Sequence, residues 1–286
     1  MNGLDLMPVF HKHTQKIIEQ FIKDRFKSSG VERVTLGISG GLDSSVVLKL
    51  ASNVLGPERV SGFYLPYGAA DKKDKTYAEM AAVSAGIELK EEDISPMIEP
   101  IPFKMEDMVL GNAQARVRMI VLYTYANKEN ALVIGTSNKT ELMIGYFTKY
   151  GDGAADLYPI GDLFKTQVIS LAENIKIPEE IIHRAPSPGL LEGQTDEGEI
   201  GLPYPLIDQI LVGYLHHMPA GEILDGIDHT CVDVDQMDRA GFSPPVTEND
   251  VSSMIRRIRS SRHKRWPLQV PKIGGSTPGI DLRERW

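Results

Sequence analysis

Residues 34–45 read VTLGISGGLDSS. Val34 to Ile38 is a short apolar run, Ser39-Gly40-Gly41 is a turn, and Asp43 to Leu55 follows at helical spacing until Gly56-Pro57 stops it. A strand that hands over to a helix through glycines points the backbone N–H groups of the turn and of the helix N-terminus at one place. Such a place binds phosphate. The glycines permit close backbone approach and the serine hydroxyls add donors. No GKS or GKT follows, so the loop is not of the Walker type and brings no lysine of its own to the phosphates. Asp43 would repel a phosphate unless a divalent cation lay between them, which makes Mg2+ an expected companion.

The alternation continues outward from this loop. Upstream, His11 to Phe26 places Ile17, Ile18, Phe21, Ile22 and Phe26 on one face of an amphipathic helix. Downstream, Val60 to Leu65 predicts a second strand, Asp71 to Ala85 a charged, alanine-rich helix, and Ile87 to Leu89 a third strand. Asn112 to Lys128 is a long helical pattern before Ala131 to Gly135, a fourth strand. Strands and helices alternating at this spacing predict an α/β fold. The expected architecture is a doubly wound, Rossmann-like parallel sheet covered on both faces, with ligands at the carboxyl ends of its strands. After Gly151, glycine, proline and acidic residues punctuate shorter helices, which reads as a C-terminal helical and loop appendage. No linker is evident, and residues 1–286 are expected to form one domain. Leu190 to Pro203 is polar, acidic and glycine-containing, so it reads as a surface loop or as a lid over the site.

Composition narrows the chemistry. The chain carries 31 basic and 39 acidic residues, net −8, the wrong sign for a protein whose main partner is a nucleic-acid backbone. No run approaches the roughly 20 apolar residues that span a bilayer. Met1 to Lys16 carries charge and histidine where a signal peptide would be apolar, so a soluble, cytoplasmic protein with no membrane partner is expected. The one cysteine, Cys231, excludes an internal disulfide framework and a CxxC pair. Asp228-His229-Thr230-Cys231 mixes ligand-type side chains but lacks the rest of a zinc site, and His11 and His13 read as surface residues.

The heptad SGGLDSS resembles the loop of the PP-loop ATP pyrophosphatases, which grips the pyrophosphate of ATP while the α-phosphate is attacked. Further blocks resemble the ammonia-dependent NAD synthetases within that group: GNAQARVRM from Gly111, GTSNKTE from Gly135, FTKYGDG from Phe147, and His263-Lys264-Arg265. The resemblance implies a ligase that adenylates the nicotinate carboxylate of deamido-NAD with ATP and replaces AMP with ammonia. A different PP-loop ligase, such as a tRNA-modifying enzyme, is the alternative.

Residue by residue, the resemblance implies ATP contacts at Gly37, Ile38, Ser39, Gly40, Gly41, Leu42, Asp43, Ser44, Thr136, Lys165 and Ser187. It implies deamido-NAD contacts at Arg116, Lys149, Asp156, His263 and Lys264, and Mg2+ on Asp43 and Glu141. Arg116 and Arg118 lie two apart on a helix and point in different directions, and the resemblance selects Arg116. The chain departs from the family pattern around two of these contacts, with FKTQ around Lys165 and a serine at Ser187 where threonine is common. No side chain is expected to act as a covalent nucleophile. Met119 to Tyr125 (MIVLYTY) is apolar nearly all round, which with the resemblance predicts a homodimer. Only 38 residues precede the loop at Ser39, which leaves too little sequence upstream for an amidase domain, so free ammonia is the expected nitrogen donor.

Overall fold

The computed structural model describes residues 6–11, 13–68, 72–187 and 195–265. Helix α1 (Thr14–Ser29) leads into β1 (Arg33–Gly37), α2 (Leu42–Leu55), β2 (Val60–Tyr64), α3 (Lys72–Ala85) and β3 (Leu89–Glu91). A short α4 (Ser95–Ile98) and the long α5 (Asp107–Glu129) precede β4 (Ala131–Val133). The four strands form one parallel sheet in the order β3-β2-β1-β4. Successive units step one way from β1 through β2 to β3, whereas β4 joins the other edge of β1. The order therefore reverses at β1, and in an open parallel sheet the crevice at that reversal is where ligands enter.

The two faces of the sheet are covered by different helices. Ile18 and Ile22 of α1, Val46, Val47 and Leu50 of α2, and Ala78 and Ala81 of α3 are buried with Val34, Leu36 and Val60 of the strands. On the other face Phe63 and Leu65 meet Val117 and Val121 of α5. Every residue of β2 is buried, as expected of a parallel strand covered on both sides. Leu48 and Leu50 have no exposed surface at all.

The element boundaries differ from the sequence reading in instructive ways. Helix α5 begins at Asp107 rather than Asn112, because the helix runs straight through the buried Gly111. A mid-helix glycine costs only about 1 kcal/mol relative to alanine, which packing offsets here. Strand β3 sits two residues later than predicted, and β4 stops at Val133 with a single bridge from Ile134 to Leu157 beyond it.

After β4 the chain is helical: α6 (Lys139–Ile144), α7 (Lys165–Asn174), α8 (Glu179–Ile182), α9 (Asp196–Ile200), α10 (Tyr204–Leu215), α11 (Ala220–Gly226), α12 (Val234–Ala240), α13 (Glu248–Ser260) and α14 (Arg262–Arg265). Ile144, Leu206, Ile207, Ile210, Val251 and Met254 form a separate apolar cluster there. Residues 190–194 of the expected lid lie outside the described residues. The rest of that segment is a capped helix, since Thr195 accepts from the N–H of Gly198 at α9.

At the end of β1 the N–H of Ile38 still donates to Phe63 O, at 2.7 Å, and the chain then turns at Gly40 with φ +77°. A side chain there would be doubly opposed, because a Cβ would lie 2.6 Å from the carbonyl oxygen of Asp74. Gly40→Ala should therefore lower stability by about 1–3 kcal/mol and displace the loop from α3. Urea unfolding of the variant checks the first effect, and nucleotide binding checks the second.

Candidate active site

The carboxyl ends of β1 and β4 open into a cleft of about 1600 Å³. A pocket for one drug-sized molecule occupies roughly 300–1000 Å³, so this one has room for two substrates. Gly37, Ile38, Ser39, Gly41, Leu42, Asp43 and Ser44 border it from the loop, and Thr136, Glu141, Lys165 and Ser187 from later segments. Gly40 is buried behind them. The cap position of α2 is Gly41, which has no side chain to satisfy the first-turn N–H groups. The hydroxyls of Ser44 and Ser45 donate back to Gly41 O at 3.0 and 2.8 Å, which holds the turn closed.

Asp43 and Glu141 meet in this cleft through an intermediary that sequence reasoning missed. Asn138 caps α6, accepting from the N–H of Glu141 at 3.0 Å, while Glu141 Oε2 accepts from the N–H of Asn138 at 3.2 Å. The Asn138 amide also donates to Asp43 Oδ1 at 3.0 Å. Lys165, almost fully buried, is ion-paired with the other oxygen of Asp43. Burial and then the charge of Asp43 push the Glu141 carboxyl well above the ordinary carboxylate range. Burial acts to lower the Lys165 ammonium, but Asp43 and Glu141 outweigh it and hold the group above its ordinary value. Asp196 and Tyr204 stand nearby, with the Tyr204 hydroxyl donating to Asp196 Oδ2 at 3.0 Å.

A fully buried carboxylate ties these pieces together from behind. Asp208 on α10 accepts from the Thr140 hydroxyl at 2.5 Å, and from the Thr166 N–H and hydroxyl at 2.9 and 2.8 Å. The Thr140 hydroxyl in turn accepts from the N–H of Lys165 at 3.0 Å. Asp208 thus fixes the first turn of α6, which carries Glu141, against the first turn of α7, which carries Lys165.

The residues expected to meet deamido-NAD lie mostly elsewhere. Of the five, Lys264 alone borders the cleft. Arg116 is exposed on α5 and donates from Nε to Lys149 O at 3.3 Å. Asp156 accepts from the Tyr123 hydroxyl at 3.1 Å and from the Val133 N–H at 2.7 Å. Arg116, Lys149 and Asp156 are therefore gathered on the outer side of α5, while Arg118 points into the cleft and donates to Leu65 O at 3.0 Å. His263 is exposed.

The basic cluster between Arg256 and Arg265 has a structural use that the sequence did not reveal. Lys264 donates to the carbonyls of Gly145 and Phe147 at 2.7 Å, and Arg265 to those of Leu142 and Met143 at 2.9 and 2.8 Å. These two side chains satisfy the end of α6, where carbonyls lack helical partners. Among the described residues no three His, Cys, Asp or Glu side chains form a metal cluster. Cys231 accepts from the Gln209 amide at 3.2 Å and donates to Asp228 O at 3.0 Å, a local tie with no further ligands.

Comparison with known proteins gives the family. The family model described as NAD synthase matches residues 14–267. The NH(3)-dependent NAD(+) synthetase of Methanococcoides burtonii is 38% identical over 276 residues, covering 94% of this chain and 96% of the relative. Among solved structures, that of an NMN synthetase from Francisella tularensis is similar at a TM-score of 0.73 with 31% identity, covering 91% of this chain and 98% of the other. The NH3-dependent NAD synthetase of Campylobacter jejuni, in complex with nitrate, is similar at 0.72 with 25% identity and the same coverage.

Burial pushes the Asp208 carboxyl from 3.8 to about 6, against the pull of its threonine donors. The folded state thus binds this proton more tightly than the unfolded state does. The resulting stability is fully present below the unfolded value and is lost as pH rises through the folded one. In Asp208→Asn the fall in unfolding free energy between pH 4 and pH 7 should shrink, by an amount on the order of 3 kcal/mol. Parallel urea titrations of both proteins across that range measure it, and identical slopes would contradict the assignment.

Proposed function

This chain belongs to the NAD synthase family, as an ammonia-dependent ligase of it, and we propose that it amidates deamido-NAD with ammonia while cleaving ATP to AMP and pyrophosphate. The observation that supports the reading most is the meeting of the phosphate loop with Thr136, Lys165 and the Asp43–Glu141 pair in one cleft with space for two substrates.

A carboxylate is a poor electrophile, because its charge repels nucleophiles and oxide is a hopeless leaving group. Adenylation removes both obstacles. In the proposed course, the nicotinate carboxylate attacks the α-phosphorus, pyrophosphate departs into the loop at residues 39–45, and ammonia attacks the acyl-adenylate carbonyl, releasing AMP. The chain's own residues act by position and charge. The first turn of α2 offers N–H groups to the leaving phosphates, and Lys165 stands beside them with its charge preserved in a buried place.

Asp43 and Glu141 would hold Mg2+, whose charge offsets that of the phosphates. Their geometry fits a hard cation: two carboxylates are close enough for one to raise the proton affinity of the other, a conflict that a divalent ion relieves. Phosphate and water would supply its remaining ligands.

The outer group of Arg116, Lys149 and Asp156 is read as part of the deamido-NAD site, in a homodimer whose interface covers the exposed face of α5. Ile120 is 54% exposed on that face, one turn from Arg116, where an apolar side chain seeks cover. Ile120→Glu should convert a dimer into monomers, as read by sedimentation velocity. A wild-type protein that already sediments as a monomer at micromolar concentration would remove this part of the proposal.

Ammonia itself is proposed as the nitrogen donor. Burial and then Asp228 push the Cys231 thiol up, so it is a poor nucleophile for glutamine. The decisive assay supplies ATP, MgCl2, deamido-NAD and ammonium, and should yield NAD and AMP in equal amounts. Glutamine in ammonia-depleted buffer should yield none. Nicotinate mononucleotide serves as the competing substrate, because the Francisella relative is described as an NMN synthetase. A larger kcat/KM for the mononucleotide would overturn the choice of dinucleotide and leave adenylation intact. In the same assay Glu141→Gln should cut turnover by about 100-fold or more. Its melting temperature should not fall, because the amide keeps an oxygen to accept from the Asn138 N–H and no longer competes with Asp43 for the Lys165 charge.

A further inference from the structure

The loop at residues 39–45 offers the N–H groups of the first turn of α2 but no cation, its Ser44 and Ser45 hydroxyls are turned back on Gly41 O, and Lys165 beside it is committed to Asp43. A second cation touches the loop from the side of α3. Arg184, which follows α8, donates from Nη1 to Gly40 O at 3.1 Å, pairs through Nη2 with Asp74, and lies over the Tyr77 ring at 4.7 Å from its centroid. The side chains of Arg184 and Asp74 are each 20% exposed and both border the cleft, so the pair is reachable from it. Other cations bordering the cleft are engaged away from the loop: Arg118 on Leu65 O, Arg239 on Glu197, Arg257 over the Tyr146 ring, and Lys264 on Gly145 O and Phe147 O.

We propose that Arg184 is the cation the loop lacks, exchanging Asp74 for the terminal phosphates of ATP and then holding the departing pyrophosphate. The inference rests on the adenylation reading above. A guanidinium is a planar fork of five N–H donors that matches phosphate oxygens in pairs. Asp74 demonstrates that this fork takes an anionic oxygen at the mouth of the loop. A residue that only propped the loop would need the bond to Gly40 O and no carboxylate. The negative charge grows on pyrophosphate as the bond to the α-phosphorus breaks, so a cation placed there favours the transition state over bound ATP. Tyr77 under the guanidinium supports the fork by stacking without consuming a donor.

The test uses the full chain and inorganic pyrophosphate, with AMP as the control ligand. Binding of each is measured by calorimetry, which needs no turnover, and steady-state kinetics follow in parallel. Arg184→Ala should weaken pyrophosphate binding and raise the KM for ATP by roughly 10- to 100-fold, with AMP binding and the KM for deamido-NAD changed by no more than about twofold. Arg184→Lys should recover part of the pyrophosphate affinity, and Asp74→Asn, which frees the guanidinium, should tighten it. Equal losses of pyrophosphate and AMP affinity would identify a prop for the loop and overturn the inference. So would pyrophosphate affinity unchanged in Arg184→Ala or, should that variant fail to fold, unchanged in both Arg184→Lys and Asp74→Asn. Should the wild-type chain bind pyrophosphate through Arg184 yet form no AMP, it is the adenylation reading that fails instead.

Discussion

The site is organised around the buried ion pair between Lys165 and Asp43, which joins segments 122 positions apart in sequence. Removing two charges from water costs several kcal/mol each, and the attraction between them repays this only with good geometry and further hydrogen bonds. Asp43 receives such a bond from Asn138, and Lys165 faces Glu141 and Asp196 as well. The pair is thus one cation among three carboxyl groups, two of which, Glu141 and Asp196, burial pushes up. An arrangement of that kind is a poor way to stabilise a fold. It is a sound way to hold charges where a cation and phosphates must be received, because every member is fixed before the ligand arrives.

The parallel sheet was legible because its strands depend on local pattern, whereas their order came only with the structure. Val34 to Ile38 and Val60 to Leu65 are apolar runs too short for helices and bounded by turn residues, and both are buried strands. The loop was legible for the same reason, since its glycines, serines and Asp43 are consecutive. Thr136, Lys165 and Ser187 became candidates only through resemblance, and they reach the cleft through tertiary packing that no local pattern encodes. Asn138 could have been found, because an asparagine followed three residues later by glutamate is a capping-box signature. Asp208 could not: its acceptors serve donors 42 and 68 residues away, and on α10 it looks like any polar residue in an apolar helix. Gly111 misled in the opposite direction, since a glycine reads as a boundary until its burial within α5 is known.

An acidic chain that is read as receiving two anionic substrates poses an electrostatic question. Net charge speaks to solubility and long-range steering, whereas binding depends on the field inside the cleft. Lys165, Arg184, Arg118 and Lys264 border that cleft, but so do Asp43, Asp74, Glu141 and Asp196, so anions would be received there by local pairing with these cations and with the helix N–H groups, not by a cleft of positive sign. The basic cluster near residue 260 illustrates the distinction. By charge alone it suggests a polyanion-binding face, but two of its members are spent on the carbonyls that end α6.

The cleft lies where three separately packed apolar clusters meet. One carries the phosphate loop on β1 and α2, a second carries Phe63 and the inner face of α5, and a third packs Ile144 of α6 against α10. Asp208 crosses from the third cluster to the start of α7, whose Val168 and Leu171 belong to the first. A polar residue at this crossing does what an apolar one could not, because its oxygens fix the relative orientation of two helix starts as well as their distance. Glu141 and Lys165 lie on those starts, and their separation from Asp43 decides whether phosphate and metal can share the space. Apolar packing sets where the helices lie to within a side chain's tolerance, and the hydrogen bonds of one buried carboxylate narrow that tolerance to what positional catalysis requires.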